Sequence, residues 1–260
     1  MLSNLKFVLK IWKYGVKSAL EYRVSFLLQT GATVLNNSIY FVFWILFFRI
    51  ITAVNSYSLD DMLMQFSIVT GSFGIAYAFF GNSSTISRII VNGELDYYML
   101  FPRNVILYLV SARFNVSSIG DCMFSIILLV ILAENVRTVL LWALFVITGA
   151  IIMIMINIAL GSLAFWFGNA ASLAGMISGA MVTFSLYPNN IYKGAIKILL
   201  LTIIPSSYLG QIPVSVMKEN NIVGLYIVLG FTIVVSIFSV SLFYYGLRKY
   251  ESGNLFSVNI

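Results

Sequence analysis

An uncharged run constrains this chain more than any other feature: between Thr138 and Tyr192 there is no Asp, Glu, Lys or Arg. One membrane-spanning helix needs only about 20 apolar residues, so the run is too long for a single crossing. The stretch at 168–172, Gly-Asn-Ala-Ala-Ser, is the expected turn between two spans. Across the chain 60% of the residues are hydrophobic and 9% are charged, whereas a soluble domain has roughly a quarter charged. The sequence therefore predicts an all-α membrane protein.

Six transmembrane helices would use nearly the whole length, so we expect one transmembrane domain over residues 1–260 and no separate soluble domain. The predicted spans are 24–48, 62–80, 116–133, two within the uncharged run, and 222–246. Pro188, Asn189 and Asn190 end the fifth span. Residues 191–204 are apolar but too short to cross, and a loop with Pro213 follows them. We therefore expect an extracytoplasmic re-entrant region at 189–220.

The first helix is predicted at 3–22 and is amphipathic. Its apolar residues recur at helical spacing on one face: Leu5, Val8, Leu9, Trp12, Val16, Ala19 and Leu20. Four lysines line the other face: Lys6, Lys10, Lys13 and Lys17. This pattern is typical of a helix that lies in the membrane surface, although a simple snorkelling anchor would show the same lysines.

The cations predict the orientation. Ten of the fifteen Lys and Arg residues fall on the N-terminal side of a six-span topology, and cytoplasmic loops carry the excess of Lys and Arg. The ten are Lys6, Lys10, Lys13, Lys17, Arg23, Arg88, Arg103, Arg113, Arg248 and Lys249. Both termini are therefore expected in the cytoplasm. The net charge of +6 follows from this bias, and we expect membrane lipid and no nucleic acid as a partner.

Catalytic groups are missing from the sequence. There is no His, a single Cys122 and no Gly-rich phosphate-binding loop. Metal clusters and Ser-His-Asp arrangements are thereby excluded. We expect a non-enzyme that binds no cofactor itself, with its energy supplied by a partner or an ion gradient.

Two features of the spans carry hypotheses. Asp121 falls in the third span, where an ionisable group is costly and usually faces a partner or a water-filled path. Arg113, two turns earlier, could compensate its charge, or Asp121 could sit near the headgroups.

Ala171, Gly175 and Gly179 form a small-residue stripe that favours tight helix packing, either within the chain or across a dimer.

The loop at 81–104 mixes both charge signs with apolar residues. A short helix is predicted at 84–91, with Gly93 as its stop. Such an element could dock a cytosolic partner, or the loop could simply be solvated.

At this loop the chain resembles a known family. Residues 92–102, Asn-Gly-Glu-Leu-Asp-Tyr-Tyr-Met-Leu-Phe-Pro, are similar to the G-x-L-D…L…P segment of ABC-2-type permeases. Residues 203–207, Ile-Ile-Pro-Ser-Ser, with Pro213 resemble the segment before the last span of that family. Residues 245–252, Tyr-Gly-Leu-Arg-Lys-Tyr-Glu-Ser, resemble its G-L-x-x-Y-E-S ending.

The resemblance implies a six-span, type V exporter-like subunit of a bacterial plasma membrane. Such permeases pair with an identical or paralogous permease and bind cytosolic ABC ATPases that carry ATP and Mg. The N-terminal helix would be an in-plane elbow, and the loop at 81–104 a cytoplasmic coupling loop. The residues implied at the ATPase contact are Arg88, Gly93, Glu94, Leu95 and Asp96. Asp121 and Arg113 belong to no signature of the family.

Two alternatives stay open at this point. One is a secondary transporter driven by an ion gradient, with Asp121 as the coupling carboxylate. The other is a non-transporting membrane protein, such as an immunity factor or a scaffold. The sequence does not name a substrate.

Overall fold

The computed structural model describes residues 2–51, 53–54, 57–168, 170–188 and 191–251. Within these ranges the protein is all helical and has no strand, which confirms the predicted all-α class. Asn169, Asn189 and Asn190 of the predicted turns, and Ser252 of the C-terminal motif, lie outside the described residues.

The α-helices follow one another with short connections. The first half contains α1 (Leu2–Glu21), α2 (Arg23–Ile50), α3 (Leu59–Phe79), α4 (Ile86–Val91), α5 (Leu95–Met99), α6 (Val105–Ser111) and α7 (Ser117–Leu132). The second half contains α8 (Val136–Ser162), α9 (Ala164–Phe167), α10 (Ala171–Ser185), α11 (Ala195–Thr202), α12 (Gln211–Glu219) and α13 (Ile222–Leu247). Two 3-10 turns, Gly81–Thr85 and Ser206–Tyr208, precede α4 and α12.

Helix α3 is the centre of the bundle and packs most extensively against α7 and α8. Glycines permit this close approach: a Cβ on Gly74 would lie 2.7 Å from the backbone nitrogen of Cys122. Small polar side chains then join the helices, since a polar group in lipid needs a partner within the protein. Trp142 of α8 donates to Ser67 Oγ at 2.8 Å, and Ser67 Oγ donates to the carbonyl of Ser125 at 2.8 Å.

In the part of the chain that the structure describes, four helices are long and apolar enough to cross a membrane: α2, α3, α8 continued by α9, and α13. Helices α7 and α10, which correspond to the predicted third and fifth spans, have only 16 and 15 residues. At 1.5 Å per residue each is about 24 Å long or less, shorter than a ~30 Å hydrocarbon core. The four long helices make this a multi-pass membrane protein, whereas two of the six predicted spans correspond to shorter helices.

The bundle has two ends. At one end, called the elbow end below, α3, α8 and α13 finish, α4 packs on α8, and α6 contacts both α1 and α5. At the far end, α3, α8 and α13 begin and α12 packs on α13 and α3. Lys218 of α12 binds Asp61 at 2.6 Å there, and Asp61 also caps α3 with Ser58.

The predicted loop with Pro213 is wrong in one respect, because residues 211–219 form α12. Pro213 falls in the first turn, where a missing N–H costs no intrahelical bond. Helix α11 and the segment Ser206–Glu219 meet at a bend of 68°. That geometry suits either a broken span or a re-entrant loop.

Helix α1 packs on the elbow end through part of its apolar face. Trp12 donates its indole N–H to the carbonyl of Phe79 at 2.8 Å, and Val8 is buried. Leu9 and Leu20, predicted on the same face, are about half exposed. The four lysines are exposed. The helix therefore rests on the bundle along one edge and keeps a second apolar edge free.

Candidate partner-docking site at the elbow end

The loop at 81–104, which the resemblance implies to be a coupling loop, connects α3 to α6 and contains two short helices, α4 and α5. Helix α4 ends where Gly93 adopts φ +71°, a left-handed conformation that favours glycine. The amide of Gly93 donates to Ile90 O and that of Glu94 to Ile89 O, which satisfies the last carbonyls of α4. The turn at Gly93 therefore ends helix α4, as predicted, and it fixes the direction of α5.

The inner face of α4 is embedded in the bundle. Ile86, Ile89 and Ile90 are buried in the main hydrophobic core. Gly161 of α8 makes room for Ile86, since a Cβ on Gly161 would lie 2.6 Å from Ile86 Cβ. Leu95 of α5 has no exposed surface. Leu95 is thus not available to a partner in this conformation: it anchors the loop beside the implied contact.

The outer face of the loop is exposed. Arg88 and Glu94 point into the surroundings, whereas Gly93 and Asp96 are half-buried. Beside them lies exposed apolar surface, of which Leu100 is 81% exposed and Tyr97 is 55% exposed. A charged pair next to apolar side chains is a composition that suits a protein partner. Of the five implied contact residues, Arg88 and Glu94 (the outer pair) are therefore exposed to a partner, and the other three are partly or fully buried.

Asp96 meets the C-terminal segment. The Tyr250 hydroxyl lies next to the Asp96 carboxylate. Burial is the main cause that raises the pKa of Tyr250 to about 12, and the Asp96 carboxylate is the second. Tyr250 also packs on Phe165, with ring centroids 6.1 Å apart. Two motifs that the sequence showed separately, at 92–102 and 245–252, therefore meet in space.

An aromatic cluster joins the loop to α1. The rings of Tyr97, Tyr98 and Phe101 surround Tyr108 of α6 at centroid distances of 5.0–6.2 Å. Phe7 of α1 contacts Tyr108 edge-on at 5.2 Å. These contacts make α1, the coupling loop and α6 one packed unit.

Asp121 lies away from this unit, within α7. Its side chain is only 8% exposed and accepts a hydrogen bond from Asn37 Nδ2 of α2 at 2.7 Å. Arg113 is exposed in the connection before α7, and its carbonyl accepts the amide of Gly81. Among the described residues the partner of Asp121 is therefore Asn37, not the predicted Arg113, because the chain turns between 112 and 116.

The small-residue stripe of α10 is not packed. A Cβ on Gly175 or Gly179 would meet nothing within 4 Å, and Ala171 is exposed. Met176, on the same helix, is 74% exposed. At these two glycines, packing within the chain does not occur in this structure.

No group of three or more His, Cys, Asp or Glu that could hold a metal occurs in the described part of the chain. Fold and site together define a multi-pass helical membrane protein with an anchored, outward-facing loop at one end of its bundle.

The chain belongs to the ABC-2 family transporter proteins, because the model of that family matches residues 34–253. No curated protein and no solved structure matches the chain. The matched range includes the coupling loop and Tyr250, whereas α1 precedes it. The protein is thus a membrane permease of the ABC transporter type. In this family the permease is typically non-catalytic, and a cytosolic ABC ATPase is the general partner.

Proposed function

We propose that this chain is the permease subunit of an ATP-driven ABC exporter, in which it forms the substrate path as a dimer. Cytosolic ATPase subunits, which hold ATP and Mg, couple to it through the loop at 81–104. The observation that carries this proposal is the two-sided loop. Its outer pair, Arg88 and Glu94, is exposed, while its inner face is part of the bundle core.

The loop has contacts through which a movement of the ATPase can be transmitted to the long helices. Ile86 sits against Gly161 near the end of α8, and Asp96 sits against Tyr250 just after α13. Helices α8 and α13 also pack extensively on each other. A partner that displaces α4 and α5 therefore moves two long helices together. Coupling of this kind needs a docked rigid element with two positions.

The orientation follows from the charges. Arg88, Arg103 and Arg113 lie at the elbow end with the lysines of α1, and Lys249 follows α13 there. We place this end, and both termini, on the cytoplasmic side of a bacterial plasma membrane with six crossings. The bent pair at α11 and α12 then forms the re-entrant region on the outer side.

A second permease is proposed to cover α10. The two glycines of its stripe, Gly175 and Gly179, face open space, and small residues allow two helices to approach closely in lipid. Whether the second subunit is identical or paralogous does not change this geometry.

The test reverses the exposed charges without touching the core. In Arg88→Glu and Glu94→Lys variants we expect much less ATPase to co-purify with the permease, and its ATP turnover to lose the stimulation that the permease provides. Arg137→Glu, an equally exposed charge at the far end, is the matched control. Unchanged ATPase binding in both loop variants would rule out this docking surface.

A further inference from the structure

An apolar groove of about 500 Å³ opens on the bundle near the elbow end. Helix α8 supplies one wall through Ile147, Ile151, Ile154, Met155 and Ile158. These positions follow helical spacing and extend over about 16 Å. Ile147 is 53% exposed, so the groove is open to the surroundings of the bundle. Its size lies within the ~300–1,000 Å³ of typical small-molecule sites.

The other walls are also apolar, except at one end. Ile106, Leu107 and Val110 of α6 face the groove, and Phe80 closes it beside α3. The polar lining consists of Asn4, Asn104 and Tyr244. Asn4 lies in the first turn of α1, Asn104 caps α6 and Tyr244 lies in the last turn of α13, so all three belong to the elbow end.

Arg103 does not line the groove itself but lies next to its polar end, where it contacts the lining residue Asn4. Arg103 Nη1 donates to Asn4 Oδ1 at 3.4 Å, and its guanidinium lies 5.4 Å from the centroid of the Phe7 ring. The exposed lysines of α1 continue the positive surface. No acidic side chain lines the groove among the described residues. An anionic ligand group is therefore favoured beside Arg103, and a cationic one is not.

Lipid chains are the apolar material around a membrane protein, and they suit a groove that apolar side chains line. Moving a chain from the bilayer into an apolar groove gains little from the hydrophobic effect, because both surroundings are apolar. Selection must come from the headgroup. A phosphate beside Arg103 and the two asparagines can accept charge-assisted hydrogen bonds. A headgroup with no cation of its own leaves that phosphate charge uncompensated, so the positive surface favours an anionic lipid over a zwitterionic lipid with the same phosphate.

We propose that this groove binds one acyl chain of an anionic phospholipid, with its phosphate held at Asn4, Arg103 and Asn104. The site is separate from the stripe of α10, and it does not depend on ATPase coupling. Because α1 and α6 form its polar end, the bound lipid would also fasten the N-terminal helix to the bundle.

The experiment uses the full-length permease reconstituted with equal amounts of phosphatidylglycerol and phosphatidylcholine of identical chains. Native mass spectrometry after mild detergent extraction counts the lipids that remain bound. For the wild type we expect roughly a fivefold excess of phosphatidylglycerol, the factor that one cation near a lipid charge supplies. Ile151→Trp, which fills the groove, should lose this lipid, whereas Ile233→Trp on exposed α13 surface should keep it.

Arg103→Gln tests the headgroup and is expected to retain lipid without the preference for phosphatidylglycerol. Arg113→Gln, an exposed cation outside the groove, is its control. Equal retention of the two lipids by the wild type would overturn the proposal. So would equal retention by Ile151→Trp and Ile233→Trp, because that result describes loosely bound surface lipid only.

Discussion

Tyr250 lies beside Asp96, so the segment that follows the last helix contacts the helix that follows Gly93. The two residues are far apart in the chain, and each belongs to a motif of the ABC-2 resemblance. Their contact places the end of α13 against the coupling loop. The loop therefore has attachments to two long helices, α8 through Ile86 and α13 through Tyr250.

The first prediction concerns the pH dependence of stability. Burial and the Asp96 carboxylate raise the pKa of Tyr250 from 10.0 to about 12. A raised folded-state pKa contributes stability that is present below pH 10 and is lost as the pH rises through about 12. We expect the unfolding temperature of the wild type to fall more steeply between these values than that of Tyr250→Phe.

The control for this measurement is Tyr14→Phe, which changes an exposed tyrosine of α1 and leaves Tyr250 in place. Its unfolding temperature should follow the wild type across the same pH range. If Tyr250→Phe also follows the wild type, Tyr250 does not lie against a carboxylate in the folded protein.

Gly93 carries the second prediction. In Gly93→Ala the backbone of the new alanine must adopt the left-handed region, which costs roughly 1–2 kcal/mol, or the two hydrogen bonds from the amides of residues 93 and 94 that end α4 must break. We expect a lower unfolding temperature and weaker ATPase co-purification, since α5 loses its direction relative to α4. Gly230→Ala is the matched control: it lies inside α13, with nothing within 4 Å of its added Cβ. A loss as large in Gly230→Ala would mean that the effect is not specific to the turn.

Much of the loop could be predicted from the sequence because its signals are local. The stop at Gly93 depends on backbone freedom, and the helix before it follows from a short apolar pattern. The structure starts α4 at Ile86, two residues later than predicted, because a 3-10 turn occupies Gly81–Thr85. The first and last spans likewise agree with α2 and α13 within two residues at either end.

Long-range partners could not be predicted in the same way. Asp121 has its partner on α2, and no spacing along the chain relates it to Asn37. The resemblance implies Leu95 as part of the ATPase contact, but its side chain is buried in the core. The sequence predicts a loop around Pro213 where the structure has α12, because a proline in the first turn of a helix is tolerated.

The third prediction separates a structural Asp121 from an ion-coupling one. Asn37→Ala removes the amide that donates to Asp121, and leaving a buried polar group without its partner costs about 1–3 kcal/mol. Asp121→Asn should be milder, because an amide oxygen still accepts the bond. The exchange Asn37→Asp with Asp121→Asn should recover most of the stability lost in Asn37→Ala.

Transport measured in the same variants decides the role of Asp121. A helix-joining role predicts that folded Asp121→Asn still transports, since no proton or ion has to be carried. Loss of transport in a folded Asp121→Asn variant, without loss of ATPase binding, would instead favour a carboxylate that couples an ion gradient.

The last prediction addresses the open stripe of α10. Gly175→Leu and Gly179→Leu place bulky side chains where the monomer has free space, so each variant should fold and keep its unfolding temperature. If a second permease packs there, both variants should shift the purified protein from dimer to monomer in size-exclusion chromatography with light scattering. Gly74→Ala is the contrasting variant, because its Cβ would lie 2.6 Å from Cys122 Sγ and should destabilise the chain itself. A dimer that persists in both leucine variants would show that the two permeases meet through another face, and the exposed surface of α2 would then be the next to test.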